Sequence, residues 1–361
     1  MPSMDDPSSR HPSRREVLAG LAALGASALL PTAKAQSRIQ GAIDCHTHFA
    51  SPAYIKALTA KEGHHIAGYT TWFALQTWKG YSPSKVIDDM DQQGVATSMI
   101  SCTTPGAWFG DPAETRAMVR EMNEYGAKMV SDNKGRFGLF ALLPLPTIND
   151  SLREIEYVFD TLKADGVGLM SSYGNNWHGD SVFQPVFDEL NRRKAVVYTH
   201  PIDASCCQDL QLGVNPPTIE YNTDTARTIF SLINNGSATR YADIKFIFSH
   251  GGGTMPSLIE RFGIGGPDVI NDILAKPAEP NSKLYHLRRF YYDTAQSTNV
   301  VQMQGLKTIV GAGQIVFGSD YPFGAGFGKH LTGLQKAGFN GQELEAIHRG
   351  SALKIFPRFN A

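Results

Sequence analysis

The sequence predicts a single (β/α)8 barrel of the TIM type, and three observations carry that expectation. Eight short β-rich runs alternate with helical patterns along a chain of 361 residues. No low-complexity linker, repeat or composition break interrupts the chain after Gln36. Several of the runs end in histidine or aspartate, where barrel strands present their chemistry. Alternating strands and helices mean parallel strands with crossover helices, and eight such units close a barrel rather than leave an open sheet.

The runs lie at Ala42–Cys45, Val95–Ser101, Phe137–Leu142, Val167–Met170, Val196–Thr199, Ile244–Ser249, Phe290–Asp293 and Ile315–Gly318. Between the third and fourth, Ser151 is placed to cap a helix. Its apolar residues Leu152, Ile155, Val158, Phe159 and Leu162 follow a 3-4 spacing. Val186, Phe187 and Leu190 repeat the pattern before the fifth strand.

Residues 1–35 read as an address rather than as part of the fold. Arg14-Arg15 precede an apolar stretch from Ala19 to Leu30, and Ala33-Lys34-Ala35 supplies small residues for a peptidase. That order describes a secretory signal, and the paired arginines give it the look of a twin-arginine one. The apolar run is too short to span a bilayer comfortably. The expectation is an exported, periplasmic protein whose 36–361 portion is one soluble barrel domain.

Composition excludes other classes. Lysine and arginine number 33 against 34 aspartates and glutamates, with no basic stripe. Neither nucleic acid nor an anionic membrane surface is an expected partner. Four cysteines, two of them adjacent (Cys206, Cys207), make no disulfide framework and read as buried free thiols.

The strand ends carry the chemistry. The first run leads into Asp44-Cys45-His46-Thr47-His48, and residues two apart on an extended segment point the same way. The fifth leads into His200, the sixth into His250-Gly251-Gly252-Gly253, and the eighth into Asp320. A lone H-x-H says little, His200 alone could be a core residue, and Asp320 alone could cap a helix. Together, three imidazoles and a carboxylate at one barrel mouth suit Zn2+ or another divalent ion, with His250 beside them.

Other motifs lead elsewhere. The His250–Gly253 run resembles a lipase oxyanion loop, but no G-x-S-x-G elbow exists to go with it. Gly324–Lys329 lacks the spacing of a phosphate-binding loop. His64, His65, His178 and His330 are expected on loops without ligand roles. Trp72, Trp78, Trp108 and Phe109 could wall a substrate or simply pack loops.

The chain resembles the amidohydrolase superfamily, and within it the aminocarboxymuconate-semialdehyde decarboxylase group, nearest the methylsalicylate decarboxylase branch. The signposts are Ile43–Phe49, Met90–Val95, His250–Pro256 and Phe317–Pro322, with Phe140–Pro146 and Val167–Gly174 pointing to that branch. The resemblance runs from about Ile43 to Phe356. It implies that His46, His48, His200 and Asp320 hold one divalent ion, Zn2+ or Mn2+, and that His250 is the acid/base beside it. It also implies that Arg261 reaches the substrate carboxylate of a neighbouring subunit, hence a homodimer. One feature departs from the group, which uses an arginine between its first two strands for a second acidic group. No arginine lies between Arg38 and Arg116, and Lys79 is the nearest substitute. A hydroxylated aromatic monocarboxylate of the hydroxybenzoate or methylsalicylate kind is expected rather than a dicarboxylate, with a small unsaturated carboxylic acid as the other substrate class.

The implied reaction is non-oxidative decarboxylation, with His250 or Asp320 protonating the ring carbon. Two other readings remain open at the level of sequence. The same ligands could activate water to hydrolyse a lactone, ester, amide or C–C bond. An exported metal-dependent binding protein would use the ion without turnover.

Overall fold

The computed structural model describes residues 41–61, 65–66, 69–207, 214–324 and 326–360; the proposed export signal lies outside them. Eight parallel strands follow one another around the sheet in chain order: β1 (Ala42–His48), β2 (Val95–Ser101), β3 (Phe137–Leu142), β4 (Gly166–Met170), β5 (Val196–His200), β6 (Lys245–Phe248), β7 (Tyr291–Asp293) and β8 (Ile315–Val316). The eight expected runs are these strands: β2 and β3 coincide with their runs end to end, and the other ends differ by at most three residues.

The ring closes through backbone bonds between β1 and the segment after β8. Cys45 N donates to Phe317 O at 2.8 Å, Asp320 N to His46 O at 2.8 Å, and His48 N to Tyr321 O at 2.7 Å. These bonds hold His46, His48 and Asp320 in register with one another before any side chain is considered.

Helices α1 (Pro83–Gln93), α2 (Pro112–Asp132), α3 (Ile148–Asp160), α4 (Gln184–Arg192), α5 (Pro216–Asn234), α6 (Lys283–Arg289), α7 (Val300–Val310) and α8 (Gly326–Lys336) follow the eight strands in turn. Their starts show local causes. Ser82, Asp111 and Asn299 cap α1, α2 and α7 by accepting from the N–H groups of Lys85, Glu114 and Gln302. α3 begins earlier than its apolar spacing suggests. Thr147 is its N-cap, and Ser151 lies inside it with its hydroxyl spent on Thr147 O. Leu162 falls beyond its end.

Period-2 alternation sorts the strand side chains into two layers. Met99, Phe140, Tyr198, Ile247 and Val316 fill the barrel with Ile43 and Cys45, alongside Phe356 and Phe359 from the C-terminal segment. Their neighbours Ile100, Leu139, Val197, Phe248 and Phe317 share the larger core with Met90, Met122, Ile155, Phe187 and Leu306 of the helices. No helix among the described residues is long and apolar enough to cross a membrane. All four cysteines are free; Cys45, Cys102 and Cys207 are buried, but Cys206 is exposed, against the expectation of burial. Its sulfur lies 3.3 Å from that of Cys207.

Candidate metal centre and its cavity

His46, His48, His200 and Asp320 meet at the C-terminal mouth of the strands, all buried, each offering one ligand atom within 4.8 Å of the others. His46 Nε2 lies 3.0 Å from His48 Nε2 and 3.2 Å from Asp320 Oδ1, and His48 Nε2 lies 3.0 Å from the same oxygen.

The opposite nitrogen of each imidazole is already committed. His46 Nδ1 donates to Asp293 Oδ2 at 2.8 Å and His200 Nδ1 to Pro201 O at 2.8 Å. His48 Nδ1 donates to Ser101 Oγ at 3.2 Å, which passes its own hydrogen to Thr47 O. Each Nδ1–H being spent, the Nε2 lone pairs are what converge. Lone pairs and a carboxylate brought together where the side chains are buried repel unless a cation sits among them. This donor set therefore fits a divalent ion.

The electrostatics agree. Burial alone would push the His46 imidazole down, yet Asp293 and Asp320 beside it raise it to about 10. Burial also opposes ionisation of Asp320, but the His46 charge and hydrogen bonds from His46 and His48 hold its carboxyl well below the usual range. His48 and His200 are driven down, first by burial. The two carboxylates thus favour a positive charge among the four donors, carried by a proton on His46 or by a bound ion.

Three residues that sequence reasoning passed over build this centre. Asp293 ends β7 and accepts from the backbone N–H groups of His250 and Ala295, both at 2.9 Å, as well as from His46. Asp44 accepts from His46 N at 2.8 Å, from Ser319 N at 3.2 Å and from the Ser319 hydroxyl. Burial lifts its carboxyl to about 7. Asp293 stands at a strand end like the four donors, so the same positional rule could have found it. Gly318 between them has no room for a side chain: a Cβ there would lie 2.9 Å from both His46 Cβ and Asp293 Cβ.

His250 stands apart from the donor set, its ring 5.0 Å from that of His46. Its Nδ1 donates to Ala295 O at 2.9 Å, and Nε2 has no hydrogen-bond partner among the described residues. The residue sits at φ +54° and is followed by three glycines at φ +64°, +76° and +62°. The glycines are required by contact as well as by angle, since a Cβ on Gly253 would lie 2.0 Å from Asn222 O of α5. Gln302 donates to His250 O at 2.9 Å and to Gly253 O at 3.3 Å, fixing the turn.

A cavity of about 810 Å3 opens over His200, His250 and Asp320. Thr103, Thr104, Asn222, Thr254, Gln296 and Phe323 are among its wall residues, and no lysine or arginine is among those described. Phe323 lies 5.8 Å from His48 and edge-on to Trp78 at 5.4 Å. Trp78 thus backs the wall, whereas Trp108 borders a separate cavity of about 60 Å3 and Phe109 stacks on Tyr54. The side chain of Trp72, like His64, lies outside what the structure describes. Arg261 is exposed and is not in the cavity wall of its own chain. Lys79 bonds Gln76 instead of lining the cavity. His178 and His330 are not donors to the centre: His178 bonds Met170 O, and His330 accepts from Gln296 N while donating to Gly326 O.

Comparison with known proteins extends the picture. The amidohydrolase family pattern matches residues 43–358. A decarboxylase of Aspergillus niger is 36% identical over 334 residues, covering 88% of this chain and 88% of its own. The 6-methylsalicylic acid decarboxylase of Penicillium expansum is 31% identical, covering 88% of this chain and 96% of its own. A dihydroxybenzoic acid decarboxylase of Polaromonas, solved with manganese and 2-nitroresorcinol bound, superposes with a TM-score of 0.74 at 19% identity. That match covers 89% of this chain and 98% of the other.

Proposed function

The chain belongs to the amidohydrolase family, and from that premise we propose that it is a metal-dependent, non-oxidative decarboxylase of a small hydroxylated aromatic monocarboxylic acid. The observation that carries the reading is the pairing of a four-donor centre with a separate histidine, all at one end of a cavity whose described wall holds no lysine or arginine. His46, His48, His200 and Asp320 would hold the ion, Zn2+ or Mn2+, the latter bound in the Polaromonas relative. When bound, the ion supplies Lewis acidity and a template for the carboxylate or an adjacent hydroxyl.

Decarboxylation replaces one C–C bond by one C–H bond. The site therefore needs a group that delivers a proton to the ring carbon while the electron pair of the broken bond returns to the ring as carbon dioxide leaves. His250, which lines the cavity, would be that group: as the imidazolium it gives its Nε2 proton to the ring carbon and is left neutral, its ring still fixed by the Nδ1–H bond to Ala295 O. Asp320 is held ionised by the histidines around it, which fits a ligand better than an acid. Thr103, Asn222 and Thr254 offer neutral hydrogen-bonding partners for ring hydroxyls, and Phe323 offers a face for the ring. The absence of lysine and arginine from the described wall disfavours a second carboxylate, which would be desolvated there without a counter-charge. Arg261 contributing from a neighbouring subunit, and so a homodimer, belongs to this proposal, as does export through residues 1–35.

Carbon dioxide release from a panel of hydroxybenzoates and methylsalicylates, with the ion loaded, tests the reading. Release from a monocarboxylate that is lost in His250→Ala, with metal content unchanged, supports it. Cleavage of lactones or esters with no carbon dioxide from any acid would establish a hydrolase instead. Ligand binding without turnover in either form would leave a binding protein.

A further inference from the structure

We infer that Gln296 is a positioning residue for the metal centre, holding Asp320 to a single ligating oxygen; the inference rests on the metal-binding reading above. The two carboxylate oxygens of Asp320 have different partners. Oδ1 faces the converging histidines, 3.0 Å from His48 Nε2 and 3.2 Å from His46 Nε2. Oδ2 accepts from Gln296 Nε2 at 3.2 Å. With Oδ2 held by that amide, Asp320 would offer the ion Oδ1 alone and would leave room beside it for substrate.

The surroundings are arranged to keep that amide in place. Gln296 occupies φ +54°, a strained conformation for a non-glycine residue that persists only where its neighbours impose it. Its backbone N–H donates to His330 Nε2 at 3.0 Å, and His330 is itself anchored by Nδ1 to Gly326 O at 2.8 Å. Gly324 supplies the space. A Cβ at that position would lie 1.9 Å from Gln296 Nε2, so any side chain there expels the amide from its seat. The glycine-rich stretch after Asp320, which makes no phosphate loop, thereby acquires a purpose. His330, buried and not one of the four donors, acquires one too. Gln296 stands on the cavity wall, not in the core, so replacing it leaves the packing of the barrel alone.

Protein loaded with Co2+ reports the coordination number through its visible absorption, which weakens per ion as ligands are added and symmetry rises. In Gln296→Leu, and in Gly324→Ala where the glutamine remains but is displaced, Oδ2 is released toward the ion. Both variants are expected to take up Co2+ with weaker absorption per ion than the parent. Turnover of each, reloaded with Mn2+, should fall by roughly 10–100-fold, as for other outer partners of a metal ligand. A Gln296→Leu spectrum identical to the parent's overturns the inference and leaves the metal centre standing. Failure of the folded parent protein to take up Co2+ overturns the metal-binding reading itself.

Discussion

The floor of the site and its wall are built differently. The floor is His46, His48, His200, Asp320 and Asp293, carried on strand ends or just past them and tied by backbone bonds across the β1–β8 seam. The wall is Thr103, Asn222, Thr254, Gln296 and Phe323, carried on loops and on α5 from separate parts of the chain. The floor has no freedom to choose another geometry, because each imidazole is fixed at its second nitrogen. The wall offers neutral hydrogen-bonding groups that different substrates could use differently. Chemistry is thereby assigned to the strands and selection to the loops.

That division predicts a ranking of effects. Asp320→Ala removes a donor and should abolish both metal retention and turnover, a loss beyond the roughly 10–100-fold typical of outer partners; elemental analysis and a carbon dioxide assay read both. His250→Ala should separate the two, lowering turnover by about 10²–10⁴-fold while metal stays bound. Loss of metal in that variant would mean that His250 belongs to the floor as a ligand.

Away from the floor, buried neutral histidines set the acid limit. Burial pushes His178 to about 4, against an ordinary value near 6.5. Between those values the unfolded chain holds a proton that the native chain does not. Stability attributable to this residue is therefore complete above about pH 6.5 and falls as pH drops toward 4, by roughly 3 kcal/mol at most. Urea midpoints at pH 7 and 4.5 measure the fall. His178→Gln, which keeps a donor for Met170 O, should flatten it. Asp293→Asn should weaken metal affinity by about 10–100-fold through His46, measured by competition with a chelator. Lys79→Ala, outside both floor and wall, should leave turnover and KM unchanged. A raised KM there would mean that the lysine swings into the cavity after all.

The same division explains what the sequence made legible. His46, His48, His200 and Asp320 could be located because strand periodicity and strand ends are local patterns. Asp293 obeys the same rule and was missed because its run carries no second chemical residue to draw notice. Gln296 and Gly324 could not be found that way. Their roles depend on an approach between segments 28 residues apart that no local period encodes. The start of α3 eluded apolar spacing because Thr147, not Ser151, caps it, and capping is decided by backbone geometry at the turn. Arg261 rests on resemblance alone: it lies exposed, outside the wall of its own chain, and its reach into a neighbouring subunit belongs to the proposal.

The central claim is that the four converging donors hold an ion on which decarboxylation depends. Elemental analysis of the folded protein, paired with carbon dioxide release before and after chelation, tests it most directly. The account predicts one divalent ion per chain, release from a hydroxylated aromatic acid that stops on chelation, and recovery when Zn2+ or Mn2+ is returned. Folded protein that releases carbon dioxide undiminished after its metal has been stripped would contradict it.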